Sequence, residues 1–139
     1  MSHTRFDRLD LVALAVGGAL GAGLRWAIDE LGPNDAGFPI GTLTANVLGC
    51  AVLGAIVAQR RQRPERRRLW LGAGTGFCGS LTTFSTFAVE LATFLGAPGA
   101  VDGSTPVRAL VYLTASIAAG AAAFTATRAT VRTTEGGRR

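Results

Sequence analysis

Four stretches of the chain are free of charge: Leu11–Leu24, Ile40–Ala58, Leu69–Val89 and Ala109–Thr127. The first runs on to Ile28 once Arg25 is tolerated. A helix needs about 20 mostly apolar residues to cross a bilayer. The strands of a membrane barrel would alternate polar and apolar residues over short segments, and no such alternation is seen. The pattern predicts an all-α membrane protein: a single transmembrane domain over 1–139 with four spans, at about 9–31, 40–58, 69–95 and 107–128. Arg25, Trp26, Asp29 and Glu30 follow the first stretch where a signal peptide would have small residues, so it reads as a span of the mature chain. The runs Gly32–Pro39 and Gly96–Pro106 have the composition of turns, and the polar tail Thr133–Arg139 reads as disordered.

Charge orients this arrangement. The 14 basic residues are all arginines, set against nine acidic ones in 139 residues, and the sequence pI is about 10.9. So basic a chain suggests nucleic acid, but the arginines lie in the wrong places for that. Arg5 and Arg8 precede the first span, six arginines lie between Arg60 and Arg68, and Arg128, Arg132, Arg138 and Arg139 follow the fourth span. Those 12 of 14 fall on one face of a four-span protein. The positive-inside rule places that face, with both termini, in the cytoplasm of a cell-membrane protein. The other face has Asp29, Glu30, Asp35, Asp102 and Arg108.

Candidate chemistry is sparse. Cys50 and Cys78 lie inside spans two and three and read as small apolar fillers, with no metal-ligand spacing. His3 is the sole histidine and sits in the tail, and Ser85 has no base partner, so the chain does not read as an enzyme. Small-xxx-small pairs at Gly17/Gly21, Gly41/Ala45 and Gly72/Gly76 predict close helix packing. Four short helices enclose little volume, so a solute pathway calls for an oligomer.

The third span is the unusual one. From Gly72 to Thr86 it holds four glycines and six serines or threonines. Non-helical backbone at membrane depth persists only where protein or a water-filled cavity satisfies it, and broken helices offer free carbonyls and N–H groups to ions. The segment therefore predicts a helix break near Gly79–Thr83 that serves as an ion site, as against a continuous polar helix. Asn46 offers two amide N–H donors within the second span, with helix linking as the alternative. Thr42, Tyr112 and Ser116 supply hydroxyls for an ion or for neighbouring helices. Arg25 and Glu90 are the charges nearest the membrane interior, and intramembrane ionisable groups are functional by default. Arg25 lies about 24 Å along the helix from Leu9, where it can either snorkel or draw anions inward.

The run Gly76-Phe77-Cys78-Gly79-Ser80-Leu81-Thr82-Thr83-Phe84-Ser85-Thr86-Phe87 closely resembles the third-helix signature of the Fluc (CrcB-type) fluoride channel family. Gly17–Ala22 with Arg25, Gly41-Thr42-Leu43 with Asn46 and Gly49, and Tyr112 with Ser116 resemble the family's other helices, so the resemblance covers essentially the whole chain. It implies an antiparallel (inverted) dimer with two narrow pores at the interface, through which cytoplasmic fluoride leaves down its gradient. Phe84 and Phe87 map onto the family's phenylalanine box, whose positively polarised ring edges face the anion. Asn46, Thr42, Tyr112 and Ser116 map to pore positions, and Glu90 to a place beside the pore. A structural sodium ion at the dimer two-fold is implied, held by the backbone carbonyls of Gly79 and Thr82, a suitable set for a hard cation.

The chain departs from the family in its charge. Many Fluc subunits have nearly balanced charge and insert both ways, whereas this arginine bias locks one orientation. It therefore implies a heterodimer with a second, oppositely oriented Fluc-like subunit. The partners expected are that subunit, lipid and fluoride. The main competing class is a small multidrug or guanidinium exporter, which needs an acidic residue deep in the first span; Leu11–Leu24 has none. A non-transporting membrane assembly factor would not need the Phe84, Phe87 and Asn46 set.

Overall fold

A computed structural model describes residues 6–32, 38–60, 63, 65–97 and 105–136. Most of both turn-like loops (with Asp35 and Asp102), His3, Arg5, Arg61, Arg138 and Arg139 lie outside the described residues. Among those described, every regular element is helical. The chain runs α1 (Arg8–Leu31), α2 (Ile40–Arg60), α3 (Arg67–Trp70), a π-helical segment (Leu71–Cys78), α4 (Gly79–Leu81), α5 (Ser85–Phe94) and α6 (Pro106–Gly136). Arg8–Leu31, Ile40–Arg60 and Pro106–Arg132 are long and apolar enough to cross a membrane. The third span is assembled from the pieces between Arg67 and Phe94, so the protein is a multi-pass membrane protein.

Local chemistry sets the helix ends. Asp7 caps α1 with a reciprocal pair of bonds: its side chain accepts from the Asp10 N–H at 2.7 Å, and its own N–H donates to Asp10 at 3.1 Å. At α6 the Thr105 hydroxyl accepts from the Arg108 N–H at 3.2 Å, and Pro106 takes the first helical position, where no backbone N–H is needed. Helix α5 ends on Gly96 at φ +90, with Ala97 N–H bonded to Ala92 and Gly96 N–H to Thr93. Helix α6 continues to Gly136, so the first four residues of the tail expected to be disordered are helical. Apolar character ends near Thr127 because it reports membrane depth, and a helix needs no apolar residues to continue into water.

Two tight seams hold the bundle. Helix α1 packs on the π segment and α4, and α2 packs on α6. A methyl group on Gly17 would overlap the Gly72 carbonyl, one on Gly21 the Phe77 carbonyl, and one on Gly76 would stand 2.6 Å from the Leu14 carbonyl. Backbone thus lies directly on backbone. In the second seam a methyl on Gly54 would strike the Phe124 carbonyl, and Thr127 donates across to the Ala51 carbonyl at 2.8 Å. Small side chains permit this approach, which brings dispersion and hydrogen bonding into play where lipid gives no hydrophobic drive.

At the arginine-rich end the first and third spans are latched. Asp10 is fully buried and pairs with Arg67, while Arg68 reaches Asp7 at 2.9 Å and lies 3.9 Å from the second Asp10 oxygen. The Arg67 guanidinium also lies 5.5 Å from the centre of the Phe6 ring. A carboxylate without water needs such donors, since burying it unpaired is costly. Trp70 closes the end of the third span by donating its indole N–H to the Arg63 carbonyl at 2.9 Å.

Gly17→Ala is expected to destabilise the protein by about 1–3 kcal/mol through overpacking, whereas Gly23→Ala, with nothing within 4 Å of the added carbon, leaves stability unchanged or slightly raised. Thermal unfolding of the two variants in detergent checks this.

Asp7 gives an acid dependence. The Asp10 N–H, and then Arg68, hold its carboxyl below the usual aspartate range. Its contribution is complete above the unfolded value of 3.8 and is lost as pH falls through the lower folded value. Wild type is therefore expected to lose stability below about pH 4, and Asp7→Asn to lack that part of the decline, as measured by unfolding midpoint against pH.

Candidate anion pathway

The third span breaks just after Leu81. Thr82 is extended (φ −79, ψ 151), and helix resumes at Ser85. Its Gly, Ser and Thr residues are poor helix formers, but what holds the break open comes from α2. Asn46 pairs with both backbone groups of Thr83: its amide N–H donates to the Thr83 carbonyl at 3.2 Å, and its oxygen accepts the Thr83 N–H at 2.8 Å. Opposite, a methyl on Gly49 would overlap the Thr82 side chain, so α2 lies tight against the break.

The break also diverts donors. In a continuous helix the Thr83 N–H would bond the Gly79 carbonyl, and the Thr86 N–H the Thr82 carbonyl. Here the first goes to Asn46 and the second to the Thr83 hydroxyl at 3.2 Å. The carbonyls of Gly79 and Thr82, the residues that the resemblance assigns to sodium, are thus among those that the break parts from their helical donors. Gly79 is exposed, with open space where a side chain would be. This donor set fits a hard cation, which takes oxygen ligands.

An open groove of about 670 Å³ runs along the break. Asn46, Gly79, Thr82, Thr83, Phe84, Phe87 and Ser116 line it, with Leu53, Leu113 and Ile117 among its apolar walls. Phe84 is 81% exposed, and its ring centre is 6.2 Å from that of Phe87. Ser116 donates to its own helix, at the Tyr112 carbonyl 2.7 Å away, which leaves its oxygen lone pairs in the groove.

Behind Phe87 lies a second, buried cluster. Thr42 and Tyr112 each donate a hydroxyl hydrogen to one oxygen of Glu90, both at 2.7 Å. The two hydroxyl residues are almost fully buried, and Tyr112 is enclosed by Phe87, Phe38 and Phe94 at centroid distances of 5.0, 5.4 and 5.9 Å. In this single subunit the hydrogens of Thr42 and Tyr112 are thus directed at Glu90, away from the groove. Phe87 joins the two clusters, since it lines the groove and stacks on Tyr112. Arg25 is half-buried on α1 and does not line the groove. The pairing of Asn46 with the Thr83 backbone and the rings of Phe38 and Phe94 are parts of the site that the sequence left unmarked, because each depends on a contact distant in the chain.

The CrcB-like protein family (camphor resistance, CrcB) matches residues 12–128. The chain is 44% identical over 118 residues to a fluoride-specific ion channel FluC of Methanopyrus kandleri, covering 82% of each protein. It is 42% identical over 116 residues to a FluC of Klebsiella pneumoniae, covering 82% of this chain and 90% of that one. A fluoride-specific ion channel named FluC 2, of Rhodococcus jostii, is 38% identical over 115 residues, covering 83% and 92%.

Asn46→Leu leaves both backbone groups of Thr83 without their partner and is expected to cost about 1–3 kcal/mol. Asn46→Asp keeps an acceptor for the Thr83 N–H but turns a carboxylate oxygen on the Thr83 carbonyl at membrane depth, so a loss at least as large is expected. Unfolding free energies in detergent compare the two.

Proposed function

The chain belongs to the CrcB-like family, and from that premise we propose that it is a subunit of a fluoride-specific channel that lets cytoplasmic fluoride leave down its gradient. It works as a passive conductor and not as an enzyme. The observation that carries the reading is the meeting of the Phe84–Phe87 pair with the Asn46-propped break along one groove. A dehydrated fluoride ion needs short donors and positively polarised edges. The remaining Asn46 N–H and the rims of the two rings supply these beside an apolar wall. In a groove poor in water such contacts act at a low effective dielectric and gain strength.

One subunit leaves this groove open on one side and Phe84 exposed at mid-span. A second, antiparallel subunit closes it in this reading, and two grooves make two pores. A structural sodium ion would be held by the Gly79 and Thr82 carbonyls of both subunits, and it would neutralise carbonyl charge at the junction. Cytoplasmic termini in the cell membrane follow from the arginine distribution. So does the oppositely oriented partner, since 12 basic residues on one face oppose insertion the other way. The numbered name FluC 2 of one relative supports genomes with more than one such subunit. The exporter alternative loses ground, because the acidic residues of α1, Asp10, Asp29 and Glu30, lie towards its ends, and Asp10 is held by Arg67.

Fluoride efflux from liposomes, followed with an ion-selective electrode, tests the reading. Flux is expected when this chain is reconstituted with a second Fluc-like subunit of opposite orientation. Flux from this chain alone would remove the heterodimer while keeping the channel, and no flux in either case would remove the channel. Phe87→Ile is expected to slow conduction by up to about tenfold, from the loss of about 1.4 kcal/mol of ring-edge attraction.

A further inference from the structure

The groove is not the only hollow that can take an anion. A smaller cavity of about 240 Å³ lies at the arginine-rich end, between the close of α2 and the start of the third span. Arg60, Arg67, Trp70, Leu71 and Thr75 line it, and Thr75 also lines the groove. One hydroxyl residue thus stands in both spaces. We propose that this hollow is an anion-collecting vestibule, in which Arg60 draws a small monovalent anion from water and the Thr75 hydroxyl passes it into the groove. The inference rests on the channel reading and adds to it where the ion is captured.

The two arginines have different parts. Arg67 is paired with Asp10, so its charge is balanced and its guanidinium held in place. Arg60, in the last turn of α2, has no ion pair among the described residues and brings the uncompensated charge. Trp70 has turned its N–H to the Arg63 carbonyl, which leaves the arginines and Thr75 as the donors around the hollow. Trp70 and Leu71 form low-dielectric walls, which focus the field of a charge on a cleft.

Thr75 differs from the other hydroxyl residues of the groove. Thr82 donates to the Cys78 carbonyl and Ser116 to the Tyr112 carbonyl, each four residues back. Thr75 is exposed, and among the described residues its hydroxyl has no hydrogen bond. It lies within the π segment, where each carbonyl faces the N–H five residues on. The carbonyl four residues back is therefore less well placed for it than in an α-helix, and its hydrogen is available to an anion.

Fluoride efflux from liposomes tests this at two salt concentrations, with whichever assembly conducts. At about 0.01 M ionic strength, where the screening length is about 30 Å, Arg60→Gln is expected to slow efflux by up to about tenfold. At about 1 M, where that length is about 3 Å, the variant should match the wild type. Thr75→Val should slow efflux at both, and Thr75→Ser should restore it. Wild-type efflux from Arg60→Gln at low salt, or the same deficit at both concentrations, overturns the vestibule. Full efflux from Thr75→Val overturns the transfer step. If unaltered protein carries no fluoride, the channel reading fails first and this inference with it.

Discussion

The amide of Asn46 and the backbone of Thr83 form the contact on which the site depends. A broken helix within a membrane leaves N–H and C=O groups that lipid cannot satisfy, each at a cost of several kcal/mol. The Asn46 amide sets an N–H donor and a C=O acceptor side by side, and these meet the two groups of a single residue in one geometry, with a second N–H left over. The break is therefore a braced structure and not a loose one. Its other features follow: an extended Thr82, carbonyls parted from their helical donors, and two phenylalanines at the start of the resumed helix, Phe84 at its cap and Phe87 in its first turn.

That brace is effective only if α2 and the third span are held close. Close packing is the task of the glycine seams, where a single added methyl would strike a carbonyl. The Asp10–Arg67 pair fixes the arginine-rich end of the same span. Between these points the backbone widens into a π segment over Leu71–Cys78. A π turn is intrinsically poor; here Gly72 and Gly76 within it lie against α1, and the gain from that packing offsets the cost of the wide turn.

The spans were legible because a bilayer imposes a length and excludes charge, so gaps between arginines and carboxylates mark them. The break was legible in kind, from glycine, serine and threonine at membrane depth, and in place to within a few residues of Thr82. The π segment was not legible: its glycines are compatible with an ordinary helix, and only the surface of α1 selects the wide turn. Nor were the side-chain pairings. Asn46 and Thr83 are 37 residues apart, and Thr42 and Glu90 are 48 apart. Composition names such residues as polar and in the membrane, but which hydroxyl serves Glu90 and which faces the groove depends on how helices cross.

The latch at the arginine-rich end has a consequence for biosynthesis. Asp10 leaves the ribosome with the first span, while its partner Arg67 follows 57 residues later. During that interval the pair that accompanies burial of the carboxylate in the folded bundle does not yet exist. Only when the third span has emerged can Asp10 be buried and the first span settle against it. The buried carboxylate thus ties the fit of the first helix to residues that are made well after it.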